Sequence, residues 1–171
     1  MRVWIRNLTK QEELELKLPM KTTELDEALH PDDEYIITES EVLDVGQYDS
    51  IDELNEFLTF CQEEGITETE LQVFSTIFTY HELIDNIKNG NGVIIDFDEE
   101  TSDWNGGCGG DITSEEDKGM CLFDSGYYDP FNFEMTEDIY DWIDWTSVWT
   151  NATCEGWAEV RVNNNGYLVH R

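Results

Sequence analysis

The pattern of apolar and polar residues is strand-like near the start of the chain. Residues 14–18 alternate leucine with charged residues, which predicts a half-buried strand that can pair with the alternating segment 3–7. Residues 23–29 are predicted to form a short helix, and the β-branched and aromatic segment 34–38 a third strand. The first part of the chain is therefore expected to be a small sheet with one short helix.

The pattern becomes helical from about residue 50. Three helix starts each combine a Ser or Thr with a Glu three positions later: Ser50 and Glu53, Thr67 and Glu70, and Thr79 and Glu82. This spacing is the signature of a capping box, and apolar residues at helical spacing follow each start. Gly65 stands where a cap at the carboxyl end of the first helix belongs. The sequence thus predicts three consecutive helices.

The last part of the chain mixes both patterns. A strand is predicted over 93–98, a loop over 104–110, and helices over 114–123 and 136–149. In the second of these helices, Ile139, Trp142 and Ile143 are expected to form a buried face. Residues 158–169 are predicted to close the chain with a hairpin around an Asn-rich turn.

These elements predict an α+β fold in three small units. They are a β-sheet with a short helix over 1–64, a central helical unit over 65–91, and a carboxyl-terminal α+β unit over 92–171.

The charge of the chain is extreme and unevenly placed. Its 171 residues contain 40 Asp and Glu against 9 Lys and Arg, a formal net charge of -31. Between Thr22 and Val160 there are 37 acidic residues and only Lys88 and Lys118. Direct binding to nucleic acid or to an anionic membrane is excluded, because phosphate attraction needs clustered cations. The 12% aromatic and 39% hydrophobic content predicts a folded protein rather than a disordered one.

The sequence lacks the residues that several classes of function require. The sequence shows no signal-peptide pattern and no apolar run of membrane-spanning length, so a cytoplasmic protein with reduced cysteines is expected. His30, His81 and His170 are too scattered to indicate a nucleophile and its base. The Gly-rich segment 106–110 lacks the lysine of a phosphate loop. No catalytic residue and no cofactor are therefore assigned, and the chain is not expected to be an enzyme.

Calcium binding is the main alternative. The acids of segment 96–103 alternate as they do at the start of an EF-hand loop. Thr101 stands where that loop requires Gly, however, and Gly107 stands where it requires Glu. No metal ligand is assigned, but an acidic calcium-binding or adaptor protein remains an open alternative. Salt adaptation, the other explanation of the acidity, is disfavoured but not excluded by the many Trp, Phe and Ile residues and the three alanines.

Imitation of DNA explains the missing cations better than a solvated surface does. Duplex DNA carries about one charge per 1.7 Å, so the net charge matches roughly 53 Å of duplex. Acids on one helix recur only about every 5 to 6 Å, so several rows must lie side by side. The candidate carboxylates are Asp52, Glu53, Glu56, Glu63, Glu64, Glu68, Glu70, Glu82, Asp85, Asp96, Asp98, Glu99, Glu100, Asp103, Glu115, Glu116, Asp117, Glu137, Asp141 and Asp144.

The chain also resembles a known family. The segment Tyr48-Asp49-Ser50-Ile51-Asp52-Glu53-Leu54-Asn55 is similar to the Y-x-S-I-x-E-L-N stretch of the ArdA antirestriction proteins. Further similarity lies in Ile5-Arg6-Asn7-Leu8, Leu18-Pro19 and Asp33-Glu34-Tyr35-Ile36-Ile37. It covers about residues 1–98, and beyond them only segment 140–145 and the terminal hairpin look like the family.

This resemblance implies an elongated homodimer of three-unit chains that mimics bent DNA. It further implies that the protein occupies the DNA-binding groove of a type I restriction-modification enzyme and so protects incoming DNA. It brings no catalytic residue with it.

Overall fold

The computed structural model of the protein describes residues 1–89, 93–96, 114–163 and 165–171. By their contacts, the residues divide into two compact units, Met1–Gly90 and Asn91–Arg171. The described residues form seven helices and two antiparallel three-stranded sheets, so the predicted α+β class is confirmed. The predicted segments 1–64 and 65–91 both lie in the first unit, apart from Asn91, and the second unit begins next to the predicted boundary at residue 92.

The first unit begins with the predicted sheet. Its strands are β1 (Arg2–Asn7), β2 (Glu12–Lys17) and β3 (Tyr35–Ser40), with β1 in the centre. Helix α1 (Thr22–Ala28) lies between β2 and β3 in sequence. The alternation of apolar and polar residues sets the register between β1 and β2. Val3 is opposite Leu16, and both side chains are buried.

Three helices complete the first unit: α2 (Ile51–Glu63), α3 (Glu68–Ser75) and α4 (Tyr80–Lys88). Full capping boxes form at Thr67 and Thr79, as predicted. At Ser50 only half of the predicted box forms, because Ser50 accepts from the Glu53 backbone N–H without the reciprocal bond. Gly65 ends α2 with a φ of 77°, a left-handed conformation that favours glycine.

Buried Asn side chains hold the loops of this unit. Asn55 of α2 accepts from the backbone N–H of Met20 at 2.8 Å and donates to the carbonyl of the same residue at 3.0 Å. Asn7 accepts from the N–H groups of Thr9 and Lys10 in the β1–β2 turn. Because both Asn side chains are at most 5% exposed, their polar atoms need these partners.

The second unit is built on another small sheet. Strands β4 (Val93–Asp96), β5 (Trp157–Val162) and β6 (Asn165–His170) pair with β6 in the centre. The predicted terminal hairpin is therefore confirmed. The predicted strand 93–98 is confirmed over 93–96, while residues 97 and 98 and the predicted loop 104–110 lie outside the described residues.

Helices α5 (Glu115–Asp124), α6 (Glu137–Tyr140) and α7 (Trp145–Cys154) belong to the same unit. Helices α5 and α7 pack closely, because Gly119 of α5 has no side chain between its Cα and the backbone of Trp145. Leu122, Val148 and Leu168 lie in the core that these helices share with the sheet.

The prediction of one continuous helix over 136–149 is wrong. The chain turns after α6, where the N–H of Trp142 donates to the carbonyl of Ile139, and α7 starts anew from its cap Asp144. The predicted buried face is wrong as well. Trp142 is 87% exposed, Ile139 is 38% exposed and Ile143 is only partly buried, because the interruption carries Trp142 away from the core.

Candidate carboxylate surface

Helix α2 presents its acidic residues to solvent. Leu54 and Phe57 on one side of the helix are fully buried, which directs the opposite side outwards. Asp52, Glu56 and Glu63 are exposed on that outer side. These acids, four and seven positions apart, therefore follow one solvent-facing row of the helix.

Three of the candidate carboxylates serve as helix caps. The Glu70 carboxylate accepts from the Thr67 N–H at 2.7 Å, and the Glu82 carboxylate accepts from the Thr79 N–H at 3.0 Å. Asp144 caps α7 by accepting from the Ser147 N–H at 3.2 Å and from its hydroxyl at 2.8 Å. These bonds lower the pKa of Asp144, the hydroxyl bond most strongly. The charge at these positions therefore also stabilises the fold.

Two further candidates have partners within their own unit. Glu68 forms an ion pair with the α-amino group of Met1 at 2.7 Å. Asp117 accepts from the Ser114 hydroxyl at 2.6 Å, and its side chain is partly buried. Substituting either residue would therefore disturb local structure as well as surface charge.

The remaining described candidates face solvent. Among the residues that the structure describes, their carboxylates form no ion pair and no hydrogen bond, and all ten residues are exposed. They are Asp52, Glu53, Glu56, Glu63, Glu64, Asp85, Glu115, Glu116, Glu137 and Asp141. Their charge is available to a partner.

Cations of the first unit are concentrated around its sheet. Arg2 pairs with Glu41 at 2.8 Å and Lys10 pairs with Asp33 at 2.7 Å. The hydrogen bond from the Arg2 side chain lowers the pKa of Glu41 to about 2, and the bond from Lys10 lowers the pKa of Asp33. Residues 50–89 hold nine acids against Lys88 alone, so the helical part keeps a strong negative field.

One of the few cationic side chains of the second unit, that of Lys118, is largely buried. The Lys118 side chain is only 11% exposed, lies 2.6 Å from a Glu159 oxygen and faces the Trp149 ring at 5.5 Å. Arg161 contacts the same carboxylate at 2.9 Å. Glu159 thus contacts both cations.

Five predicted site residues lie wholly or partly outside the part of the chain that the structure describes. Asp98, Glu99, Glu100 and Asp103 lie outside the described residues, and for Asp96 only the backbone is described, in β4. The segment behind the calcium alternative is therefore almost wholly outside them. In the described part of the chain, no group of three or more His, Cys, Asp or Glu side chains is placed to hold a metal ion.

Sequence reasoning missed one exposed feature of the second unit. Trp142 stands beside the candidate acid Asp141, on the surface rather than in the core. The signal was present, because Asp144 has the type and position of a helix cap before Ser147.

No helix within the described ranges has the length and apolar character needed to cross a membrane. No family model matches the chain, and no curated protein matches it in sequence. The likeness to the ArdA family therefore rests on the residues quoted from the sequence.

Proposed function

We propose that this protein is a cytoplasmic, non-enzymatic antirestriction inhibitor, similar to the ArdA proteins, that imitates DNA. Its target is a type I restriction-modification enzyme, whose DNA-binding groove it occupies as a homodimer. One observation supports the proposal above the others. The ten solvent-facing candidate carboxylates have no ion-pair partner among the described residues, while Arg2, Lys10 and Lys118 are paired with other acids.

The mechanism follows from this distribution of charge. A groove that binds DNA presents Lys and Arg to phosphates, and exposed carboxylates satisfy the same cations. Long-range attraction speeds the encounter, and added salt weakens it. Each exposed pair contributes only about 0 to 1 kcal/mol, so affinity must come from many carboxylates acting together.

The direct test is displacement of labelled DNA from a purified type I restriction-modification enzyme at two salt concentrations. We expect displacement near stoichiometric amounts, with weaker displacement at the higher salt. No displacement at a large excess of protein would overturn the proposal. Sedimentation of the inhibitor alone tests the dimer.

A pair of matched variants tests where the charge acts. The first neutralises α2 through Asp52→Asn, Glu53→Gln, Glu56→Gln and Glu63→Gln. The control changes the net charge equally in β2, α1 and β3 through Glu12→Gln, Asp26→Asn, Glu27→Gln and Glu39→Gln, all at exposed positions. We expect roughly a 10- to 100-fold loss of inhibition for the α2 variant and little loss for the control. Equal losses would contradict the assigned surface.

A further inference from the structure

Three apolar residues of the second unit are exposed within an acidic segment of the chain. Phe133 is 51% exposed, Ile139 is 38% exposed and Trp142 is 87% exposed. We call these three residues, two of them aromatic and one aliphatic, the aromatic surface. Three exposed apolar residues within ten positions of the chain are candidates for a protein interaction site.

The ring packing beneath the aromatic surface holds its parts in place. The Phe133 ring lies 5.4 Å from the Phe131 ring, and Phe131 lies 6.2 Å from Trp145. The Tyr140 ring lies 4.5 Å from the same Trp145 ring. Both ends of the segment that carries the aromatic surface are therefore anchored on one buried tryptophan. A preorganised surface loses little entropy on binding.

Backbone hydrogen bonding in the turn after α6 determines the position of Trp142. Its N–H donates to the Ile139 carbonyl at 2.9 Å, and Asp144 two residues later starts α7. A side chain on this short turn projects without a covering element, in keeping with its exposure.

Charge indicates the kind of partner. Segment 124–144 contains seven acidic residues and no Lys, Arg or His. A second copy of the aromatic surface would bring the same negative charge against it, which like-charge repulsion disfavours. A cationic protein surface would instead be attracted. Aromatic faces bind cations directly, and tryptophan binds them best.

We infer that the aromatic surface receives an arginine side chain of a cationic protein partner, with the guanidinium on the Trp142 ring and the exposed carboxylates of Asp138 and Asp141 around it. The inference rests on the proposed function, since a DNA-binding groove supplies such arginines. It adds an apolar anchor to the carboxylate surface. Attraction between carboxylates and cations mainly affects the association rate, whereas a tryptophan that becomes buried in the complex slows dissociation.

The first experiment needs no restriction enzyme. A peptide of alternating arginine and glycine is titrated into the labelled protein while the tryptophan indole N–H resonances are followed by NMR. The Trp142 resonance is assigned by its loss in Trp142→Phe. We expect it to shift selectively, with buried Trp145 and Trp149 unchanged, and to respond less to a peptide with citrulline in place of arginine. An equal response to both peptides would overturn the inference, and so would a shift caused by protein concentration alone, which indicates a second copy.

The second experiment measures dissociation from the restriction-modification enzyme. Trp142→Ala should dissociate roughly tenfold faster than the unchanged protein, with the same association rate and salt dependence. Trp142→Phe should recover part of the loss. Leu8→Ala is the control, because Leu8 is a 37% exposed apolar residue in a segment with cations. Unchanged dissociation of Trp142→Ala overturns the inference alone, whereas failure of the unchanged protein to bind contradicts the proposed function.

Discussion

Lys118 and Glu159 form a largely buried ion pair, with the lysine Nζ 2.6 Å from a carboxylate oxygen. The pair joins α5 to β5 in the second unit. Burial alone would raise the pKa of Glu159, but the hydrogen bonds from Lys118 and Arg161 outweigh burial and lower it below its usual 4.5. The pair therefore stabilises the folded state when Glu159 is ionised.

Glu159→Gln should lower the free energy of unfolding of this unit by about 2 kcal/mol at neutral pH, because it leaves Lys118 without its charged partner. The pKa of Glu159 is lower in the folded state, so the stabilisation is complete above pH 4.5 and is lost as the pH falls through the folded-state value. Urea unfolding followed by tryptophan fluorescence should show that the difference in unfolding free energy between the unchanged protein and Glu159→Gln becomes smaller in acid. The double variant Lys118→Met, Glu159→Leu should recover much of the stability. A difference between the unchanged protein and Glu159→Gln that does not depend on pH would contradict this account.

Gly119→Ala should destabilise the second unit by about 1 to 3 kcal/mol. A Cβ at this position would lie 2.1 Å from the Trp145 carbonyl oxygen, so α5 and α7 would have to separate. Gly65→Ala is the comparison, because its Cβ would meet nothing within 4 Å and only its φ of 77° opposes the change. Gly65→Asn should be milder than Gly65→Ala, since Asn tolerates that conformation. Thermal unfolding that is unaffected by Gly119→Ala would be inconsistent with the close packing.

Thr79→Ala should cost about 1 kcal/mol of stability in the first unit, because it removes the cap of α4. Thr79→Ser keeps the hydroxyl and should retain most of that stability. Glu82→Gln should also be mild, since an amide oxygen can still accept the Thr79 N–H. Denaturant unfolding of the three variants distinguishes the cap from the charge. A larger loss for Glu82→Gln than for Thr79→Ala would show that the charge matters more than the cap.

Added monovalent salt should raise the melting temperature of the protein, because it screens repulsion within a chain of net charge -31. For a chain of this size, each kcal/mol of repulsion removed corresponds to roughly 2 to 4 °C. The variant neutralised on α2 should respond less than the unchanged protein. Calorimetry at increasing sodium chloride checks both expectations, and a flat response would mean that the acids are already balanced locally.

Calcium and magnesium at equal ionic strength should stabilise the protein to a similar extent if screening is the only effect. A large shift with millimolar calcium that magnesium does not reproduce would favour the calcium-binding alternative. The measurement uses the full chain, so it includes the acidic segment 96–103.

Much of the fold was predictable because its signals are local. Alternation over 14–18 and the capping pairs at Thr67 and Thr79 each specify structure within a few residues. The helix over 136–149 was mispredicted because its apolar spacing continues across Asp144, whereas α6 ends at Tyr140 and Asp144 caps the start of a new helix, α7. Local periodicity and local capping competed there, and capping prevailed.

The sequence by itself determined the excess of acids, most of the elements that carry them and the likeness on which the functional proposal rests. Only the tertiary structure decided which charges remain available. Lys10 meets Asp33, Lys118 meets Glu159, and the Met1 amino group meets Glu68, each across a long stretch of chain. Because an ion pair depends on distance in space, composition cannot reveal which carboxylates are already paired, and the exposure of Trp142 depends in the same way on what the fold places around it.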